Sequence, residues 1–230
     1  MSEEIHKLFS DIHENYDSMN HILSLGVDKA WRKRIAEEAV IDKKRYRILD
    51  VAAGTGDLTI AMKRMCDSNG KEVNILGVDF NEDMLGVAKI KAKKLGMNVR
   101  FQTGDALSLK FPKDSFDIVT SSFALRDFDD LNKFIKEANR VLNDNGKIIL
   151  ADMAKPDSGP MKYLFKIYFN VMILEGMFVD KNAYSFLVNS IKKFDKKNLE
   201  RLLKKNGFTD IKIEDLPSKV AFMATARKKA

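Results

Sequence analysis

Residues 46–59 read YRILDVAAGTGDLT, an apolar stretch that ends in a carboxylate and then breaks into a turn of small residues. The pattern predicts a buried strand over residues 48–52, a tight turn through Gly54 and Gly56, and a helix that begins at Asp57. Because glycine has no Cβ, the backbone of such a turn can come close to a ligand, and free N–H groups at the helix start can meet it. The stretch therefore indicates a nucleotide-type site, although a plain strand-turn-helix connection gives the same pattern.

Strands and helices alternate beyond this turn. The further predicted strands are short apolar runs, and they cover residues 73–79, 99–103, 116–121, 147–153, 209–215 and 219–227. The helices that separate the earlier strands are predicted at 57–65, 83–95 and 131–142. This alternation predicts an α/β fold with a doubly wound, mostly parallel, seven-stranded sheet of the Rossmann-like kind, closed by a hairpin of the last two strands.

The 230 residues suit one α/β domain with extensions. Residues 1–40 read as an N-terminal helical extension, and residues 46–156 contain the turn and the strands that follow it. Residues 157–230 read as inserted helices, at about 158–175, 181–191 and 196–206, followed by the closing hairpin. We therefore expect a single domain in three sections, in which the inserted helices precede the last two strands.

The composition excludes several classes of protein. The chain is 45% hydrophobic and 9% aromatic, which is typical of a folded chain and not of a disordered one. Its single cysteine, Cys66, cannot form an internal disulfide, and this favours a reducing compartment. The N-terminus reads MSEEIHKLFSDIHENYD, with acidic residues and no apolar core, so no signal peptide is predicted. We expect a cytoplasmic protein.

The net charge of +7 would help the protein approach anionic lipid or nucleic acid. The lysines are scattered through several segments, however, and do not form one basic arm. The chain also lacks an Asn/Asp-Pro-Pro-aromatic run after the fourth strand and a Pro-Cys nucleophile. We therefore predict no nucleic-acid partner, and we assign no metal ligands.

Polar side chains, many of them acidic, follow the ends of successive predicted strands. Because ligands of a doubly wound sheet bind beyond the carboxyl ends of its strands, these positions are the candidate binding residues. In chain order they are Asp50, Gly54, Thr55 and Gly56 at the first strand, Asp79 and Phe80 at the second, Asp105 and Ala106 at the third, and Ser122 at the fourth.

The acidic residues favour one kind of nucleotide cofactor over another. Asp79 lies 23 residues after Gly56, where a carboxylate can accept the hydroxyls of a ribose. A dinucleotide site wants a third Gly or Ala three residues after the second, but Thr59 stands there. Asp50 and Asp57 would also repel a diphosphate. S-adenosylmethionine has no phosphate and bears a cationic amine and a sulfonium, so an acidic turn suits it.

The third strand end fits the adenine of such a cofactor. Asp105, followed by Ala106, could accept the exocyclic amine, with Phe80 or Met84 against the face of the ring. Each acidic residue has a structural alternative as a helix cap, a turn former or a partner of a helix dipole. It is the recurrence of acidic residues at three successive strand ends, with the GTG turn, that favours a site.

Taken together, LDVAAGTGDLT, GVDFNEDML, FPKDSFDIVTSSFALRD and RVLNDNGK resemble the class I S-adenosylmethionine-dependent methyltransferases. YDSMNHILSLGVDKAWR, SSFALRD and AYSFLVNSIKKF are similar to segments of the ubiquinone/menaquinone biosynthesis C-methyltransferases, and the resemblance covers residues 9–228 or so. It implies cofactor contacts at Thr55, Asp79, Asp105 with Ala106, and Ser122, besides the glycine turn. The implied reaction is methyl transfer to a ring carbon of a demethylated polyprenyl quinol, a lipophilic small molecule.

The resemblance also implies that Arg126 acts on the acceptor, whereas Asp127 is a candidate on its chemistry alone; His6, His13 and His21 are other possible bases. Loss of the proton from a ring hydroxyl would raise the electron density on the neighbouring carbon, while the enzyme positions the ring and stabilises the phenolate. Arg126 would polarise that hydroxyl, and Asp127 is the candidate proton acceptor. Tyr16 and Asn20 would line the substrate side. The structural alternative is that Arg126 only pairs with Asp127 or Asp129, and that the other two only hold the N-terminal helices in place.

Two features bear on the acceptor itself. Asp127 stands where the family usually has Asn. Residues 161–179 form an apolar stretch with a narrow polar stripe made by Lys162, Lys166 and Asn170. Such a helix suits a lipophilic tail, a peripheral contact with an anionic membrane or a homodimer contact, and a cover over the sheet is the structural alternative.

Other functions are compatible with the same residues. A small-molecule O- or N-methyltransferase would share the cofactor core, and a dinucleotide oxidoreductase or a non-catalytic binding module would share the turn. The product formed from a demethylated quinol distinguishes a C-methyltransferase from an O- or N-methyltransferase. The identity of the bound cofactor distinguishes a methyltransferase from an oxidoreductase or a binding module.

Overall fold

The computed structural model describes residues 17, 21, 24, 26–155, 190–191 and 194–230. Its helices are α1 (Asp28–Glu38), α2 (Asp57–Ser68), α3 (Glu82–Lys94), α4 (Leu131–Val141) and α5 (Lys196–Lys205). Its strands are β1 (Arg45–Val51), β2 (Glu72–Asp79), β3 (Arg100–Thr103), β4 (Phe116–Ser122), β5 (Leu142–Met153), β6 (Phe208–Asp215) and β7 (Ala221–Lys228). A one-turn 3₁₀ helix, Leu125–Asp127, follows β4.

The seven strands form one sheet in the order β3-β2-β1-β4-β5-β7-β6. The first five strands are parallel, and β7 runs antiparallel to both β5 and β6. The chain moves outward from β1 through β2 to β3 and then returns to β4 on the other side of β1, so the switch point lies between β1 and β4. The predicted fold class, with its closing hairpin, is confirmed.

Alternate residues of the strands pack into two apolar layers, one on each face of the sheet. Leu49, Val119 and Leu150 point to one face, where they join side chains of α4, α5 and β7. Ile48 and Ile118 point to the other face, where the core also includes side chains of α1 and α2. Burial on both faces explains why these strands are almost continuously apolar and why the carboxyl edge is left to hold the site.

Several strand boundaries differ from the sequence prediction, and two of the differences follow from strand pairing and from backbone conformation. β5 begins at Leu142 and not at residue 147, since Leu142 pairs with Phe116 before a shift in register. The last strand begins at Ala221 and not at residue 219, because Ser218 and Lys219 have positive φ angles of 74° and 57° that belong to the turn.

Some predicted helices lie outside the described residues. The inserted helix at 158–175 does so entirely, and of the next one only residues 190–191 are described, as helix. No helix in the described part of the chain is long and apolar enough to cross a membrane.

Candidate active site

Two neighbouring cavities lie at the carboxyl edge of the sheet, and they share Ala52, Asp79 and Phe80. The larger, about 220 Å³, lies on the β3 side, and we name it the β3-side cavity; its other lining residues are Gly104, Asp105, Ala106, Leu107, Phe128 and Asp129. The smaller, about 50 Å³, is the β4-side cavity; its other lining residues are Gly54, Asn81, Met84, Ser122, Phe123, Ala124 and Asp127. Six predicted cofactor or catalytic positions besides Asp79 therefore line these two cavities: Gly54, Phe80, Asp105, Ala106, Ser122 and Asp127.

Asp79 joins the turn after β1 to the start of α3. Its Oδ2 accepts a hydrogen bond from the Gly54 N–H at 2.7 Å, and its Oδ1 accepts one from the Asn81 N–H at 2.9 Å. Asn81 in turn caps α3, because its side chain accepts from two backbone N–H groups of that helix. Asp79 also lines both cavities, so we expect its carboxylate to accept hydroxyl groups of a bound ligand.

The two glycines of the turn serve different purposes. A Cβ at Gly54 would meet no atom within 4 Å, so this position opens onto free space, as the ligand argument requires. A Cβ at Gly56 would instead lie 2.9 Å from both Ala88 and the ring of Phe101. The φ of 79° and the packing of Phe101 therefore demand glycine at position 56, and the contact of Gly56 with a cofactor stays a prediction.

Asp50 is buried beneath the turn and is held by two threonines. Thr59 donates to its Oδ2 at 2.6 Å and Thr120 donates to its Oδ1 at 2.7 Å. Burial raises the pKa of Asp50 to about 6, although both hydrogen bonds oppose that rise. This pair of bonds also explains why position 59 is Thr. Asp50 is not among the described residues that line the two cavities, so its contact with a cofactor stays a prediction.

Thr55 is tied to the N-terminal extension. Its hydroxyl donates to Asp17 at 2.6 Å, and the other oxygen of Asp17 accepts from Lys91 at 2.7 Å. Lys91 also pairs with Asp57, and so does Arg32, at 3.2 Å. The charge of Asp57 is therefore matched by two cations, which weakens the argument from an acidic turn. Asp17 was not singled out from the sequence, although it lies in the YDSMN segment that carries the resemblance.

At the third strand, Asp105 lines the β3-side cavity and also shapes its own turn. Its Oδ1 accepts from the Leu107 N–H at 2.8 Å, which is the turn-forming alternative considered above. Asp105 is exposed, and Ala106 beside it is half-buried. The carboxylate can thus hold the turn and still present its other oxygen to a ligand.

Two residues without glycine's freedom have left-handed backbone conformations at the mouth of the β4-side cavity. Ala52 follows β1 with a φ of 57°, and Phe123 follows β4 with a φ of 59°. Such conformations cost about 1 kcal/mol or more for a residue with a Cβ, and they cluster at functional sites. The ring of Phe123 is supported from the side by Trp31, with 5.7 Å between ring centroids.

Arg126 pairs with a residue that the sequence did not assign to the site. Its guanidinium forms an ion pair with Asp152 at the end of β5, and its backbone N–H donates to the same carboxylate at 3.2 Å. Arg126 therefore does not pair only with Asp127 or Asp129, which was the alternative considered above. It can reach Asp152 because β4 and β5 are neighbours, with Ser122 opposite Ala151. The available signal in the sequence was an acidic residue near the end of the fifth strand.

Asp127 is 6% exposed and lies in the 3₁₀ turn after β4. Its Oδ1 has no hydrogen-bond partner, either side chain or backbone, among the residues that the structure describes. Burial, more than any charge, raises the pKa of Asp127 to about 6; Asp152 also raises it, and Arg126 lowers it. A buried carboxylate with one unpaired oxygen at a cavity wall is the arrangement expected of a group that acts on a ligand.

Tyr16 and Asn20, predicted to line the substrate side, lie outside the described residues. The described part of the chain contains no group of three or more His, Cys, Asp or Glu residues that could hold a metal ion. It does bring together residues from β1, β2, β3 and β4 in adjoining cavities, as the strand-end argument predicts.

Comparison with known proteins bears on the whole chain. A family model described as the ubiE/COQ5 methyltransferase family matches residues 1–228. A demethylmenaquinone methyltransferase of Deinococcus radiodurans is 38% identical over 210 residues, which cover 90% of this chain and 85% of that protein. One of Staphylococcus saprophyticus is 36% identical over 225 residues, which cover 96% of this chain and 94% of that protein.

Solved structures show the same architecture. A SAM-dependent methyltransferase from Aquifex aeolicus matches with a TM-score of 0.61 at 18% sequence identity, over 85% of this chain and 88% of that one. At so low an identity the likeness shows the fold alone, and it agrees with the sheet described above.

Proposed function

The chain belongs to the ubiE/COQ5 methyltransferase family, and we propose that it methylates a ring carbon of a demethylated menaquinol with S-adenosylmethionine as methyl donor. The names of its relatives support the acceptor. The observation in the structure that carries the proposal is Asp127, a buried carboxylate with an unpaired oxygen in the wall of the β4-side cavity. Such a group suits the removal of a proton from a ring hydroxyl.

The residues at the carboxyl edge fit the cofactor. The position of the missing Cβ of Gly54 is open, so a ligand can approach the backbone there. Asp79 would accept hydroxyl groups of the ribose, Asp105 would accept the adenine amine, and Phe80 would pack against the ring. When bound, S-adenosylmethionine supplies a methyl group on a positively charged sulfur.

Asp127 would do the acid–base work on the acceptor. Because its pKa is raised to about 6, the carboxylate is ionised at neutral pH and yet basic enough to bind a proton. The proton of the ring hydroxyl passes to Asp127, and the electron pair of the O–H bond stays on the ring oxygen, from which it enriches the neighbouring carbon. Asp127 therefore needs to be ionised, so we expect the rate to rise with pH through about 6.

The product of the reaction tests this proposal. The purified full-length protein is incubated under reducing conditions with methyl-labelled S-adenosylmethionine and a short-chain demethylated naphthoquinol. We expect one labelled methyl group on a ring carbon, located by NMR of the extracted product. Transfer of the methyl group to a ring oxygen, or no transfer to the quinol at all, would contradict the proposal. A short-chain benzoquinol in a parallel reaction separates the two ring types, and we expect the naphthoquinol to be the better acceptor.

The organisation of the chain follows from the same proposal. We propose that residues 1–230 act as one methyltransferase domain, since the family match spans residues 1–228 and Asp17 ties the N-terminal extension to Thr55 of the turn. The enzyme would work in the cytoplasm and touch the membrane surface to take up its lipophilic acceptor. Co-sedimentation with anionic lipid vesicles tests this contact, and analytical ultracentrifugation tests whether the enzyme is a homodimer.

A further inference from the structure

Asp152 is the last carboxylate of the parallel strands, and it is completely buried. It accepts hydrogen bonds from the backbone N–H groups of Arg126, at 3.2 Å, and of Met153, at 2.6 Å, and the backbone of Leu125 also donates to it. The guanidinium of Arg126 is a further donor. A buried carboxylate with so many donors is held rigidly in place, because breaking any of these bonds would leave a buried charge or polar group without a hydrogen-bond partner.

The ion pair with Asp152 holds one end of the Arg126 guanidinium. The side chain of Arg126 is only 9% exposed, and its Nη1 is directed to Asp152 across the β4–β5 boundary. Asp127 is the next residue in the chain, yet its Oδ1 receives no donor from the described residues. The cation nearest to Asp127 in sequence is thus held by another carboxylate.

We propose that Asp152 is a positioning residue for the methyl transfer proposed above: it holds Arg126 in an ion pair, and so leaves the carboxylate of Asp127 available to take the proton of the acceptor. The inference rests on the proposed function for its chemistry, but the arrangement of the three side chains stands by itself. Asp152 touches neither cavity among the described lining residues, so it acts through Arg126.

The charges around Asp127 determine the direction in which its pKa should change when Asp152 is replaced. Arg126, on the same 3₁₀ turn, favours the ionised form, and Asp152, from β5, disfavours it. Asp79 faces the same cavity from β2 and adds a further negative charge. Removal of the charge of Asp152 takes away one opposing carboxylate and releases the guanidinium toward Asp127. Both changes favour ionised Asp127, so its pKa falls and it becomes a weaker base.

The experiment compares Asp152→Asn with Asp152→Glu in the full-length protein. The titration of Asp127 is followed by infrared difference spectroscopy of the protonated carboxyl groups, and its band is the one that Asp127→Asn removes. Asp50, whose pKa is also raised to about 6, keeps its band in that variant and serves as the internal reference. We expect the midpoint of Asp127 to fall by about one unit or more in Asp152→Asn, and to stay near the wild-type value in Asp152→Glu.

A variant of Arg126, the partner of Asp152, should shift the titration midpoint of Asp127 in the opposite direction. In Arg126→Met the cation is lost, so the midpoint of Asp127 should rise, whereas a general loosening of the site would shift both variants the same way. S-adenosylmethionine binding, measured by calorimetry, confirms that each variant is folded. If Asp152→Asn does not fold, Arg126→Met and Asp152→Glu still carry the test.

The proposal is overturned if the midpoint in a folded Asp152→Asn protein is unchanged or raised, if Asp152→Glu behaves as Asp152→Asn does, or if Arg126→Met lowers the midpoint. The spectroscopic titration needs no acceptor, so it remains readable even if the wild-type enzyme methylates no quinol. In the active enzyme, the acid limb of the pH profile of kcat/KM should move with the spectroscopic midpoint, and the KM for S-adenosylmethionine should change less than twofold.

Discussion

The two sides of the site use carboxylates in opposite ways. On the β2 and β3 side, Asp79 and Asp105 accept hydrogen bonds from backbone N–H groups, which hold them in place. On the β4 and β5 side, Asp127 is buried with an unpaired oxygen, and Asp152 forms an ion pair with Arg126. A carboxylate held by backbone N–H groups is a rigid acceptor that suits the binding of hydroxyl and amine groups, whereas Asp127, buried with an unpaired oxygen and with a pKa raised to about 6, suits proton transfer. From this difference we propose that one side of the site binds the cofactor and that the other side carries out the chemistry.

The largest expected effect is on the β4 side. Asp127→Asn keeps the shape of the side chain but removes its basicity, so kcat/KM should fall on the order of 1000-fold at pH 7. The acid limb of the pH profile near 6 should disappear with it. Steady-state kinetics across pH 5–8 measure both, and calorimetry should show unchanged affinity for S-adenosylmethionine. Wild-type activity in this variant would remove Asp127 from the chemistry.

On the other side, Asp79→Asn should affect binding. The amide has one oxygen where the carboxylate has two, and its NH₂ group opposes either the Gly54 or the Asn81 N–H. We expect the Kd for S-adenosylmethionine to rise about 100-fold, as befits lost hydrogen bonds to a charged group. Calorimetry measures it, with Asp83→Asn in the exposed first turn of α3 as the matched control. Equal Kd values for the two variants would break the division between the sides.

The glycines of the turn sharpen the comparison within the binding side. Gly56→Ala would push a Cβ against Phe101 and Ala88 at a φ of 79°, so the free energy of unfolding should fall by about 2 kcal/mol or more. Gly54→Ala meets no protein atom and should cost about 1 kcal/mol for its φ of 53°, but it should weaken cofactor binding. Urea unfolding and calorimetry separate the two, and a larger loss of stability in Gly54→Ala would contradict this assignment.

The smallest effect concerns Asp50 beneath the turn. Its folded pKa of about 6 lies above the unfolded value near 3.9, so its contribution to stability is complete below pH 4 and is lost as the pH rises through 6. Thr59→Val removes one of its two hydroxyl donors and should cost about 1 kcal/mol in its ionised form. Urea unfolding should therefore show a larger deficit at pH 7.5 than at pH 5. Thr120→Val is the matched control and should behave alike; an equal deficit at both pH values would exclude this cause.

Sequence reasoning placed Asp79 and Asp105 correctly at the carboxyl edge of the sheet, because local pattern determines their positions. A short apolar strand followed by a carboxylate puts Asp79 and Asp105 at the carboxyl edge whenever the strands are parallel. It was less successful at Asp57, whose charge is matched by Lys91 and Arg32, since these cations come from two other helices.

The amino-acid sequence by itself determined the order of strands and helices, the glycine turn and the acidic residues at the strand ends, because periodicity and turn chemistry are local properties. Only the tertiary structure decided the partners: Asp152 with Arg126, Asp17 with Thr55, and Phe101 against Gly56. Each of these pairs joins residues that are far apart in the chain. Which of them meet depends on strand order and helix packing, and these are set by the burial of the whole core.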